Sequence, residues 1–274
     1  MDEVAWYKDW VTSNPDAFAA QIGLGQRLRE KNRVDEAIVC FRQAIRLEPQ
    51  LAVAHSGLGE ALHKDGQLDE AIASLKEAIR LQPDMSERYE YLGQIFREKR
   101  ALDEAIRCYD DFIQRTPNFY APYANLSWLL TTWDDPTLRR PAQAVELAQK
   151  AIELAPGSDF ALVTLATAYY RIGNWGGAHE LLNKAMRQGS NSDDVGYTLF
   201  LLAIVEWHSE EKDAARTSLA RAVEWMEREK MSGDPVLNSL RAEAVELIEP
   251  ERQEVAPVTG ERDSDPSRSR QLTS

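Results

Sequence analysis

Few residues in this chain have the spacing that chemistry demands, and each grouping that comes near has a structural explanation beside it. Gly23-Leu24-Gly25-Gln26-Arg27-Leu28 approaches a dinucleotide-binding loop, which needs three glycines between a strand and a helix so that backbone amides reach a pyrophosphate. The third glycine is missing and the stretch falls inside a helical pattern, so these glycines are read as packing residues. No glycine-rich stretch ends in Lys-Ser or Lys-Thr, which removes the phosphate-cradling loop as well. Metal binding needs several histidine, cysteine or carboxylate groups converging, but His55, His63, His179 and His208 are scattered and the cysteines are only Cys40 and Cys108. A zinc site of four cysteines and a disulfide scaffold are both excluded. The carboxylate pairs Asp35-Glu36, Asp69-Glu70 and Asp103-Glu104 recur at even distance, as acids that complement helix dipoles would and a catalytic pair would not. No serine has an assignable histidine and acid near it. The expectation is a protein without catalysis, cofactor or metal.

Charge narrows the partner. With 45 acidic against 32 basic residues in 274, the formal net charge is −13 and no long basic run offsets it. Nucleic-acid binding draws most of its affinity from lysine and arginine on phosphates, so it is not expected, and neither is an anionic membrane surface. The most continuous apolar stretch, Ala161 to Tyr170, is far short of the ~20 residues that span a bilayer. Asp2 and Glu3 stand where a signal peptide would be basic, and the two cysteines suit a reducing compartment. A cytoplasmic protein is expected.

The elements that would position any site follow from a period. Pro15, Pro49, Pro83 and Pro117 recur every 34 residues, and Pro156 follows after 39. Alanines keep the same phase at Ala37, Ala71 and Ala105, then Ala144, Ala178 and Ala215. The pairs Leu24-Gly25, Leu58-Gly59 and Leu92-Gly93 continue as Leu126-Ser127, Leu165-Ala166 and Leu202-Ala203. Apolar residues within a unit follow three-and-four spacing, without the two-residue alternation of strands, so each unit reads as two amphipathic helices. Asn32, Gly66 and Gly173 suit a left-handed turn between them, a rule that Arg100 breaks, and Asp35, Asp69 and Asp103 are placed to cap the second helix. The prolines end it. Small residues at Gly25, Gly59 and Gly93 let helices approach closely, while Phe41, Leu75 and Tyr109 fill the space between units.

This combination resembles the tetratricopeptide repeat, with its W-x2-L-G-x2-Y opening, A-x3-F and closing proline. The resemblance covers units 18–51, 52–85, 86–119, 120–158, 159–192 and 196–229. A half unit at 1–17, carrying Trp6, Tyr7 and Trp10, precedes them. The early tryptophan is replaced by Gln21, His55, Tyr89, Tyr123, Leu162 and Leu199. Unit four carries five extra residues around Trp133 to Pro141, and three more precede unit six. Asp234-Pro235 opens a capping helix at about 234–249 that covers the open end of the stack, and 250–274 has the composition of a disordered tail. The fold implied is an all-α, right-handed α-solenoid. Cys40 and Cys108, in the same phase two units apart, would be too distant to bridge. Units four to six are also similar to repeat regions that follow the catalytic part of some bacterial serine/threonine kinases, which implies a signalling setting and transfers no activity.

In that family the first helices line a concave groove holding an extended peptide or a partner helix, through variable positions 2, 5, 9, 12 and 13 of each unit. The corresponding residues are Arg29 in unit one, Glu60 and His63 in unit two, and Glu87, Glu90, Gln94 and Arg97 in unit three. Later units place Trp128, Phe160, Thr167, Tyr170, Arg171, Tyr197, Phe200 and Trp207 there. The first half is thus polar and the second aromatic. Either those rings meet a partner, or the capping helix or tighter superhelical packing buries them. The family's carboxylate-gripping lysines and asparagines are absent, with Ile22, Gln26, Ser56 and Glu60 in their place. The asparagine ladder of sugar-transferase repeats is reduced to Asn125. The function implied is a protein- or peptide-binding scaffold. Alternatives are self-association through the end helices, near Trp6 and Trp10, and a non-catalytic regulatory region of a kinase-type system.

Overall fold

The computed structural model describes residues 2–188 and 195–249. Among these lie fourteen α-helices: α1 (Glu3–Ser13), α2 (Phe18–Glu30), α3 (Val34–Leu47), α4 (Ala52–Lys64), α5 (Leu68–Leu81), α6 (Ser86–Glu98), α7 (Leu102–Arg115), α8 (Ala121–Thr132), α9 (Pro141–Leu154), α10 (Asp159–Arg171), α11 (Trp175–Gln188), α12 (Val195–His208), α13 (Lys212–Arg228) and α14 (Pro235–Ile248). From α2 to α13 they pack as six successive pairs, each resting on the next, with α1 against α2 at one end. The expected tail at 250–274 and most of the insertion before unit six lie outside the described residues.

The turns inside the units follow position more than residue type. Asn32, Gly66 and Gly173 are left-handed, with φ of 58°, 78° and 78°, and so are Arg100 at 54° and Glu210 at 65°. Each turn lets the following amide reach back into the finished helix, as in Arg33 N to Leu28 O at 2.8 Å and Ala101 N to Phe96 O at 3.0 Å. Because that turn delivers the chain directly into the second helix, Arg33, Gln67 and Ala101 become its cap residues, and none makes a side-chain capping bond. Asp35, Asp69 and Asp103 are therefore not caps, contrary to expectation. They sit inside the first turn, where they complement the dipole.

Packing explains the repeated small residues. A Cβ on Gly57 would fall 2.4 Å from Phe41 Cε1, and one on Gly59 would fall 2.7 Å from Leu75 Cγ. Three of the residues that replace the early tryptophan share a bond that periodicity alone did not reveal. His55 Nε2 lies 2.9 Å from Pro49 O, and the hydroxyls of Tyr89 and Tyr123 donate to Pro83 O at 3.0 Å and Pro117 O at 3.1 Å. The polar tip of that side chain thus ties α4, α6 and α8 to the proline turn before each. In unit three, Tyr109 donates to Tyr89 O and the rings of Tyr89 and Phe112 pack edge to face. The backbones of α6 and α7 approach each other less closely than those of the other pairs.

The last helix, α14, begins as the sequence expects: Asp234 accepts from Leu237 N at 2.8 Å, with Pro235 at the first helical position. It packs mainly on α12 and little on α13. Glu243 reaches back two units, to Tyr170 and Arg171 of α10. The helix therefore lies along the side of the stack formed by the first helices, rather than continuing the stack from its end.

Candidate functional site

The first three units present a polar network across α2, α4 and α6. Arg29 pairs with Glu60. His63 Nε2 lies 2.8 Å from Glu98 Oε2, and Nδ1 lies 3.0 Å from the Tyr91 hydroxyl. A carboxylate only accepts, so Nε2 carries the proton toward Glu98 and, in the neutral ring, Tyr91 donates to Nδ1. Burial pushes the Tyr91 phenol above its usual range. Arg29, Glu60 and His63 are therefore joined to their neighbours, and they tie three first helices together. Glu87, Glu90 and Gln94 lie on the exposed side of α6, three and four residues apart, so they form one stripe along the helix.

Other residues assigned to the groove by phase turn inward. Asn125 is buried and donates to Ala121 O at 3.1 Å, and Thr167 is buried with its hydroxyl on Val163 O at 2.8 Å. Arg97 is also buried. It donates to Thr132 O at 2.7 Å, Thr132 Oγ1 at 2.8 Å and Asp134 Oδ1 at 2.9 Å, and its guanidinium stands 5.6 Å from the centre of the Trp133 ring. It closes the end of α8, where the five-residue insertion leaves helix carbonyls uncovered.

In the later units α14 covers much of the aromatic half. Tyr170 is buried with its hydroxyl on Glu243, burial raises its phenol far above the ordinary range, and the Arg171 guanidinium lies 4.5 Å from the centre of its ring. Phe200 is fully buried. Trp207 turns toward α13, with the Lys212 ammonium 4.0 Å from its ring centre. Trp128 differs. It is half-buried, with Phe160 at 6.0 Å and Tyr197 at 5.1 Å between ring centroids, and the Tyr197 hydroxyl donates to Asp234 at the start of α14. Trp128 and Phe160 thus stand at the border between the part of the surface that α14 covers and the part it leaves open. Sequence phase found these rings but not the path of α14, because an amphipathic stripe says that one face is buried without saying against which neighbour.

No helix among the described residues is long and apolar enough to cross a membrane. Residues 25–66 match the family model described as "TPR repeat", and 58–118 and 138–199 match models described as "Tetratricopeptide repeat". Among solved structures, a chain of the APC/C hetero-tetramer Cut9-Hcn1 superposes with a TM-score of 0.60 at 17% identity. The match covers 87% of this chain and 45% of that one, so the present chain spans less than half of its length. A tetratricopeptide repeat protein from Parabacteroides merdae gives 0.58 at 14% identity, covering 88% and 91%. PilF of Pseudomonas aeruginosa gives 0.54 at 19%, covering 84% and 98%. No curated protein sequence matches the chain. At such identities the likeness is one of fold, and with the three matched stretches it makes the chain an all-α solenoid of tetratricopeptide repeats.

Proposed function

We propose that the chain is a non-catalytic scaffold that binds a partner peptide or helix along the surface of α4, α6 and α8. Tetratricopeptide repeats are in general protein-interaction modules. The observation that carries the reading is the exposed stripe of Glu87, Glu90 and Gln94 on α6, together with the half-buried Trp128 on the neighbouring α8. Acidic side chains there favour a partner with basic residues and speed its approach in a salt-sensitive way, while Trp128 offers an apolar anchor. Arg29, Glu60 and His63 hold the helices that carry this surface, and Arg97, Thr167 and Tyr170 act through the fold. Under the resemblance of its later units, such a scaffold would serve a bacterial kinase-type signalling assembly in the cytoplasm.

Affinity capture from native extract, comparing the parent with Glu87→Lys and with Trp128→Ala, tests this. Both variants should keep their helicity and lose the captured proteins, a true anchor costing about 2 kcal/mol or more on truncation. Retrieval of the same proteins at equal yield would remove the reading. Self-association is the second reading, favoured by Trp6, which is 48% exposed and packed against Tyr7 and Trp10 on the terminal helix. Sedimentation as a monomer at every concentration excludes it.

A further inference from the structure

Unit four ends its first helix differently from the other units. It has no left-handed residue, and Trp133, which closes α8, turns into the insertion without its own amide bonded back to the helix; the chain returns an amide only at Arg140, whose N donates to Leu130 O at 3.0 Å. Three arginines from three elements cover the exposed carbonyls instead. Arg171 of α10 donates through Nε to Thr131 O at 3.3 Å, Arg97 of α6 donates to Thr132 O at 2.7 Å, and Arg139 of the insertion donates through Nε to Trp133 O at 2.8 Å. The negative end of a helix favours cations, which accounts for one side of each guanidinium.

The other sides are not equally matched. Arg97 has Asp134 at 2.9 Å, and Arg171 has Glu243 of α14 at 2.8 Å. The two terminal nitrogens of Arg139 have no hydrogen-bond partner among the described residues. Burial, and next the charge of Arg171, push the Arg139 guanidinium below its usual range, while the charge of Glu243 acts the other way, so Arg139 feels both members of that ion pair. Three cations therefore face two carboxylates, an excess of positive charge in a chain whose net charge is −13. The carboxylate nearest this excess belongs to Glu243, a third of whose side chain is exposed, and it arrives on a helix held mainly by one neighbour, α12.

We propose that Arg139 and Arg171 form a receptor for a carboxylate carried on a partner's α-helix, and that Glu243 is its internal occupant. The kind of ligand is read from that occupant. It is an amphipathic helix whose buried Leu237, Leu240 and Ala244 rest in the same core as Phe200, with an acidic residue placed beside them to meet Arg171. A partner helix of the same pattern replaces α14 and brings its carboxylate within reach of the Arg139 fork, where a planar guanidinium takes two parallel bonds. This rests on the chain being a protein-binding scaffold, but it does not use the α6 surface.

A fluorescein-labelled peptide of residues 234–249 serves as the probe, alongside the same peptide with Glu243→Gln. Both are titrated by anisotropy against the full-length parent and the full-length Glu243→Gln protein. The glutamate peptide is expected to bind the Glu243→Gln protein about ten-fold or more tighter than the glutamine peptide does, as a charge-assisted bond implies. Arg171→Gln added to that protein should erase the preference, and Arg139→Gln should reduce it. Equal affinity of the two peptides, or no binding of either, overturns the proposal. The two-peptide comparison uses a single protein, so it stands whatever Arg139→Gln does to the insertion. Glu87→Lys, which tests the α6 surface, should leave this titration unchanged, so the two readings fail separately.

Discussion

Gly59 and Gly176 both lie in helices, yet a side chain at each should have opposite effects. At Gly59 a Cβ would meet Leu75 Cγ at 2.7 Å and the Ala71 carbonyl at 3.2 Å, and the backbone oxygen cannot swing aside. Gly59→Leu is expected to cost about 1–3 kcal/mol or more by overpacking. Gly176 has nothing within 4 Å of its added Cβ, so Gly176→Ala should gain about 0.4–1 kcal/mol, mainly by restricting the unfolded chain. Thermal melts followed by circular dichroism decide, and the reverse order would mean that these helices do not pack as described. Glu206 offers a test by pH. It is 8% exposed, and its Oε2 has no hydrogen-bond partner. Burial raises its carboxyl above the usual range, with repulsion from Glu211 added, against the lowering influence of Ser218, His179 and Arg221. A raised folded-state pKa means that the native state holds the proton more firmly than the unfolded chain does. The stability this contributes is complete below the unfolded value and is lost as pH rises through the folded one. Glu206→Gln should therefore raise the melting temperature at pH 7, and the gain should shrink near pH 4. An equal shift at both values would show that ionising this carboxyl costs the fold nothing.

At the scale of helices, the end of α8 shows how one insertion redirects side chains that periodicity assigns elsewhere. Arg97 occupies a groove position by phase, but the five-residue insertion uncovers carbonyls that take its donors. Arg97→Met keeps much of the apolar stem and removes the three bonds, so it should lower stability by about 1–3 kcal/mol in denaturant titration. Arg97→Lys should recover only part of that loss, because an ammonium lacks the planar fork. Full stability of Arg97→Met would assign the end of α8 to Arg139 and Arg171 alone. The left-handed turns that end the first helices were legible in the sequence at Asn32, Gly66 and Gly173, whereas the caps of the second helices were not. Arg100 is instructive here. Its residue type argues against a left-handed turn, but its phase argues for one, and the packing on either side imposes φ of 54°. Partners that depend on an aperiodic loop were not legible, because a period reports only what the units have in common.

Across the whole molecule the apolar core falls into two large clusters that meet near α9 and α10. One gathers residues from Val4 to Ala144 with Ala168, and the other runs from Leu162 to Ile248, so α14 belongs to the second. A small group formed by Tyr123, Ala124, Ala151 and Ala161 lies between them. The all-α solenoid of paired helices could be read from the sequence. The placement of α14 could not, because Val236, Leu237, Leu240 and Ala244 would suit a site against α13 as well as the one they occupy on α12. In a stacked array each unit is coupled chiefly to its neighbours, so a local loss need not travel the length of the chain. Leu237 is fully buried in the second cluster, and Leu237→Ala should cost about 2–5 kcal/mol there through the transfer and cavity contributions. Hydrogen exchange is expected to show protection falling in α12, α13 and α14 while α2 to α5 keep theirs. Uniform loss from α2 onward would show that the two clusters unfold as one unit, and would tie the occupancy of the arginine receptor to the stability of the whole solenoid.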